Sequence, residues 1–110
     1  MKDLKISKEL LSAVLNYEVD TFLGINKNEI DYTCCRDENE GYIDISINIY
    51  EFVHLNLKEW ARDKYDITIS SSLYKNYAKS WIIDKDKSYT AKTEVEVIIE
   101  ACEWIQENIK

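Results

Sequence analysis

Apolar residues at Leu10, Leu11, Val14 and Leu15 follow Ser7 at helical spacing, with Ile6 placed to staple onto Leu11. This predicts a short capped helix ending near Asn16. The period then shortens to two: Tyr17, Val19, Thr21 and Leu23 alternate with Glu18 and Asp20. After Asn26-Lys27-Asn28, alternation resumes at Ile30, Tyr32 and Cys34, predicting a hairpin. Residues 36–41 read as a loop, and Ile43, Ile45 and Ile47 as a third strand. Asn48 with Glu51, flanked by Ile47 and Phe52, is a capping arrangement that predicts a helix over about 49–63. Its buried stripe is Ile49, Phe52, Val53, Leu57, Trp60 and Ala61. Asn56 falls mid-stripe as a satisfied core amide, or else as a pocket-lining one, and Leu55 faces outward. Strand patterns follow at Ile67, Ile69, Ser71 and Leu73 and from Tyr77 to Ile83 with Trp81, around a turn near Lys75-Asn76. Thr93 and Glu96 form a capping box for a last helix with the face Val95, Ile98, Ile99, Cys102, Ile105 and Ile109. The order αβββαββα predicts an α+β fold: one antiparallel sheet of four to five strands, two main helices and a short N-terminal helix, with residues 1–110 as a single domain.

Composition narrows the chemistry. The chain has two glycines and no proline, where usual frequencies give about eight and about five. Phosphate-binding glycine loops, dinucleotide fingerprints and proline-rich segments are therefore excluded. The abundance of Ile, Lys, Asn and Tyr is the bias of an AT-rich coding sequence, so the proline shortage needs no structural cause. No apolar run approaches the ~20 residues of a membrane span, and the charged start carries no signal peptide, so a cytoplasmic location is expected. Three cysteines at unrelated spacings do not form a disulfide framework.

Cys34, Cys35, Cys102 and His54 lack the close pairing of zinc ligands, and adjacent cysteines on a strand point to opposite faces. They read as packing residues. The stretches Asp37-x-Asn39-x-Gly41 and Asp84-x-Asp86-x-Ser88 open like calcium loops but lack the later Gly and Glu. With His54 as the single histidine and no cue for a partner, no nucleophile–base pair is visible, and no enzyme and no cofactor or metal are expected.

Charge is unevenly placed. Of the net −7, residues 1–35 carry −2, 36–66 carry −4, 67–93 carry +3 and 94–110 carry −4. Lys75, Lys79, Lys85 and Lys87, with Lys92, make the second hairpin and its following loop a candidate anionic-ligand site; the plainer reading is that they neutralise the acidic helices nearby. Direct nucleic-acid binding is not expected of so acidic a chain with only Arg36 and Arg62 as arginines. On the last helix, Glu96, Glu100, Glu103 and Glu107 fall in one sector of about 60° opposite the apolar face. Trp104 flanks them. Like charges at i, i+4 weaken their own helix, and two of these lie near its negative end. These five residues are the candidate surface for a basic partner; compensation by the lysine hairpin is the competing explanation, and both stand open at this point.

The segments Ile47-Asn48-Ile49-Tyr50-Glu51-Phe52, Lys58-Glu59-Trp60-Ala61 and Thr93-Glu94-Val95-Glu96-Val97-Ile98 through Ala101-Cys102-Glu103-Trp104-Ile105 resemble small phage and prophage proteins, some described as a phage αβα-sandwich domain. The resemblance covers about residues 42–106, with an echo in Ile6-Ser7-Lys8-Glu9-Leu10-Leu11. It departs after the first long helix, where Lys64 stands in place of the usual glycine before Tyr65. The resemblance implies a mobile-element origin and carries over no catalytic residues. It shifts the expectation toward a binder of a host protein with a basic surface, such as an anti-CRISPR-type inhibitor of host defence. The alternatives are a sponge for a small nucleotide signal and an accessory protein of the phage particle.

Overall fold

The computed structural model describes residues 4–37 and 41–109. The N-terminal helix α1, Lys8–Leu15, starts where expected: the Ser7 side chain accepts from the Leu10 N–H, and Asn16 closes the helix in the left-handed region at φ 62°. Strands β1 (Thr21–Asn26), β2 (Glu29–Asp37) and β3 (Gly41–Asn48) form an antiparallel sheet in the order β1-β2-β3.

β1 corrects the predicted face. Its inward residues are Phe22 and Ile25, which pair with Tyr32 and Ile30, while Leu23 is 55% exposed. The strand carries a bulge between Phe22 and Gly24, and Gly24 at φ 143° takes a conformation that a side chain would resist. The extra residue switches the inward set from even to odd positions, which strict alternation cannot anticipate. Val19 is buried as expected but lies before the strand.

Helix α2 spans residues 49–65, two residues beyond the predicted end. Asn48 caps it, accepting from the Glu51 N–H at 3.0 Å, and Asp66 at φ 56° does the closing work of the missing glycine. The helix is interrupted. Ile49–Glu51 and Lys58–Tyr65 are α-helical, and Phe52–Leu57 is a π-helix.

The apolar residues explain that winding. Ile49, Phe52 and Val53 recur eight residues later as Leu57, Trp60 and Ala61. In an α-helix at about 100° per residue, eight residues overshoot two turns by about 80°, which would splay the two triplets apart. Winding six residues at roughly 80° each brings them back onto one face. All six are buried. The same winding moves Asn56 from the centre of the stripe to its flank, where it is half-buried beside Leu15 and Phe52. Leu55 stays on the far side, 48% exposed.

A second antiparallel sheet replaces the rest of the predicted single one. Its strands are β4 (Ile69–Leu73), β5 (Ala78–Ile82) and β6 (Lys87–Ala91), in the order β4-β5-β6. β6 falls in a stretch expected to be loop. The run Asp84-Lys85-Asp86-Lys87 masks the alternation of Tyr89 and Ala91 with Ser88 and Thr90, and the turn is made by Asp84 and Asp86 at positive φ. The fold is thus α+β with two three-stranded sheets and three helices. Helix α3, Glu94–Asn108, lies along β4, β5 and β6 and touches the π segment and α1. One apolar cluster joins Leu10 and Leu11, Ile30 and Tyr32, Phe52 and Leu57, Ile69 and Ile82, and Ile98 and Ile105, so both sheets and all three helices share a core. No helix among the described residues is long and apolar enough to cross a membrane.

Candidate functional site

The acidic row is set in place by what α3 buries. Thr93 caps the helix, its side chain accepting from the Glu96 N–H. Ser80, fully buried on β5, donates to the Val97 carbonyl at 2.8 Å, and Ser71 on β4 donates to Glu94 Oε2 at 2.7 Å. These two bonds fix the rotation of α3 on its sheet. With Val95, Val97, Ile98, Ile99, Ala101, Cys102 and Ile105 all buried, the remaining sector carries the glutamates.

The row lines a groove of about 740 Å³. Glu96, Glu100, Glu103, Glu107 and Trp104 form one wall, Tyr89 and Lys92 come from β6 and the residue beyond it, and Leu4 and Lys5 close the far rim. All five predicted partner-binding residues are therefore gathered around one concavity. Two explanations of the row were open, and the geometry separates its members. Glu103 is half-buried, and its Oε1 accepts from both the Ser7 hydroxyl, at 2.8 Å, and the Ser7 N–H, at 3.2 Å. It ties α1 to α3 and has a structural use.

Among the described residues, Glu96, Glu100 and Glu107 form no such tie. Among the described residues the one ion pair within 4.0 Å is Arg62–Asp63, on the exposed side of α2. The hairpin does come near: the Lys87 ammonium stands 5.5 Å above the Trp104 ring, and Lys92 sits at the groove. That arrangement lowers the field of the row without neutralising any one carboxylate.

The titrating groups register the crowding. Partial desolvation pushes the carboxyl of the largely exposed Glu100 up, and Glu96 adds to it. Burial also pushes Glu103 up, against its hydrogen bonds from Ser7 and helped by Glu107 and Glu9. The Tyr89 phenol is raised by burial and then by Glu100 and Glu107. A carboxyl whose folded pKa is raised contributes stability that is fully present below its unfolded value and lost as pH rises through the folded value. Melting temperature is therefore expected to rise as pH falls from neutral toward the ordinary carboxylate range. The double variant Glu100→Gln/Glu103→Gln, which keeps an oxygen for Ser7, flattens that slope. Calorimetry at stepped pH checks both, and an equal slope in the double variant refutes the assignment.

The lysines proposed for an anion are not gathered. Lys75 lies in the β4–β5 turn and Lys85 in the β5–β6 turn, at opposite ends of β5, a strand of about 17 Å at 3.3 Å per residue. Lys79 stacks 5.4 Å over Trp81, one residue from buried Ser80 and so on the opposite face of β5, while Lys87 turns toward Trp104. The cysteine and histidine candidates are also apart: Cys34 is buried on β2, Cys35 exposed beside it, Cys102 buried in α3 and His54 exposed on α2. No group of three metal-ligating side chains forms among the described residues. The first calcium-like stretch, residues 37–41, lies partly outside the described residues, and the second spans the end of the hairpin turn 83–86 and the start of β6.

Tyr89 and Ser7 complete the site and were not legible as parts of it. Tyr89 required β6 to be recognised as a strand. Ser7 meets Glu103 across 96 residues of sequence, and only its capping role was visible locally. Comparison with protein-family models, with curated proteins and with solved structures returns no match.

Proposed function

We propose that this chain is a small phage or mobile-element protein that binds and blocks a host protein, docking a basic segment of its target in the groove of α3. The observation that carries this reading is the convergence of Glu96, Glu100 and Glu107 around Trp104 with no cation among the described residues within 4.0 Å of any of them. A lysine or arginine side chain entering there would find carboxylates on one wall and an aromatic face to lie against. Blockade of a host-defence factor, in the manner of an anti-CRISPR protein, fits because such a row can occupy a cationic groove that otherwise takes phosphates. The mobile-element part rests on the resemblance of residues 42–106 to phage proteins. The nucleotide-sponge alternative has less to stand on, since its lysines are divided between two turns and two faces.

The test is affinity capture of a host protein by the wild type and by Glu96→Gln/Glu100→Gln/Glu107→Gln, with Glu103 left intact. Binding is expected to fall at least about tenfold in the variant and to weaken steeply with salt. Equal capture by both, at any salt concentration, removes the groove from the mechanism. Stabilisation by a cyclic nucleotide with no protein captured would favour the sponge.

A further inference from the structure

β3 ends its sheet with fewer of the devices that protect an edge than the other edge strands carry. The two sheets have four edge strands, β1, β3, β4 and β6. Edge strands are protected by bulges, lysines, prolines or shortness, and this chain has no proline anywhere. β1 is bulged between Phe22 and Gly24; β4 and β6 have five residues each, and β6 opens on Lys87. β3 is eight residues long, Asp44 is its one charged residue, and its pairing with β2 is regular from Tyr42 to Asn48. A hollow of about 380 Å³ runs beside Ser46, Ile47 and Asn48, between that part of the edge and Asn56 of α2.

Hydrogen-bond directions fix which groups face outward. The Asp20 N–H donates to the Thr33 carbonyl, so odd residues of β2 face β1 and Ile30, Tyr32 and Cys34 face β3. Their partners are Ile47, Ile45 and Ile43. The Ile49 N–H continues the series by donating to Asn28. The backbone groups of Tyr42, Asp44, Ser46 and Asn48 therefore point away from the sheet.

We propose that two copies of this chain pair antiparallel through β3, with a two-fold axis at Ile45. Only the outward residues can exchange bonds, which restricts the register to even–even pairs. Centring on Asp44 opposes two carboxylates, and centring on Ser46 shortens the overlap. Centring on Ile45 places Asp44 opposite Ser46 and Tyr42 opposite Asn48, and brings Ile43 beside Ile47 on the core-facing side. No like charges lie directly opposite, the two Asp44 side chains being diagonal neighbours, and the half-buried isoleucines of the two copies flank one another. The result is a continuous six-stranded sheet.

Asp44→Pro removes one outward N–H and leaves the β2–β3 ladder intact. In sedimentation the wild type is expected as a concentration-dependent dimer and Asp44→Pro as a monomer with an unchanged circular dichroism spectrum. For the register, Ile45→Cys in a Cys35→Ser background is expected to give a disulfide-linked dimer on mild oxidation. Tyr42→Cys in the same background gives none, because its two copies lie roughly 20 Å apart along the strands. A wild type that stays monomeric up to its solubility limit overturns the proposal, as does a dimer that survives Asp44→Pro. Linkage through Tyr42→Cys overturns the register.

Discussion

Deleting Leu55 is expected to leave the protein folded, whereas deleting Glu100 abolishes the fold. Both residues are exposed and both sit in long helices, so a rule based on exposure alone predicts the same outcome for each. The difference lies in the winding. In α2 the buried triplets are eight residues apart and need the π segment Phe52–Leu57 to align. Removing Leu55 shortens the interval to seven, which an ordinary α-helix spans with about 20° of drift. The helix then runs without interruption, and stability changes by no more than about 1 kcal/mol. In α3 the buried residues Val95, Ile98, Ile99, Cys102 and Ile105 already follow α spacing. Loss of Glu100 carries Cys102 and Ile105 about 100° out of the core. Urea unfolding of the two deletion variants measures the contrast, and an equally unfolded Leu55 deletion would refute this account of the π segment.

Phe52→Ala is expected to cost about 3–5 kcal/mol, a large share of the roughly 5–15 kcal/mol that holds a domain together. Phe52 is 1% exposed and begins the π segment in a core that joins both sheets. Truncation therefore loses the apolar contact of the ring and leaves a cavity that the neighbouring strands close only in part. Phe52→Leu restores most of the loss, because the added carbons refill the site. The denaturation midpoint reports the difference directly, provided the slope with urea is unchanged. A loss below about 1 kcal/mol would mean that the shared core is softer at this point than its burial indicates.

Local signals were legible wherever the physics is local. Ser7, Asn48 and Thr93 each cap the helix they were expected to cap, because a capping side chain reaches only three residues along the chain. The apolar face of α3 and the glutamate row opposite it followed from periodicity alone. The same reasoning failed at β1, where a bulge at Leu23 reversed the alternation, and at β6, where charged turn residues hid a five-residue strand. It also placed Asn56 in the middle of a stripe that the π winding moves aside. The departures at β1 and α2 share a cause: a bulge and a π segment each change the phase of the backbone, so that a fixed period no longer predicts the face.

What the sequence determined by itself is the α+β class, the start of every helix, the acidic surplus and its concentration on one face of the last helix. These follow from capping, period and charge, which act over a few residues. The tertiary structure alone decided that there are two sheets instead of one, that Glu103 is bonded to Ser7 while Glu96, Glu100 and Glu107 form no ion pair among the described residues, and that the lysines of the second hairpin are parted by β5. Each of these is a contact, or a separation, between residues far apart in the chain. Only a packed core, closing from all its elements at once, settles which of them meet.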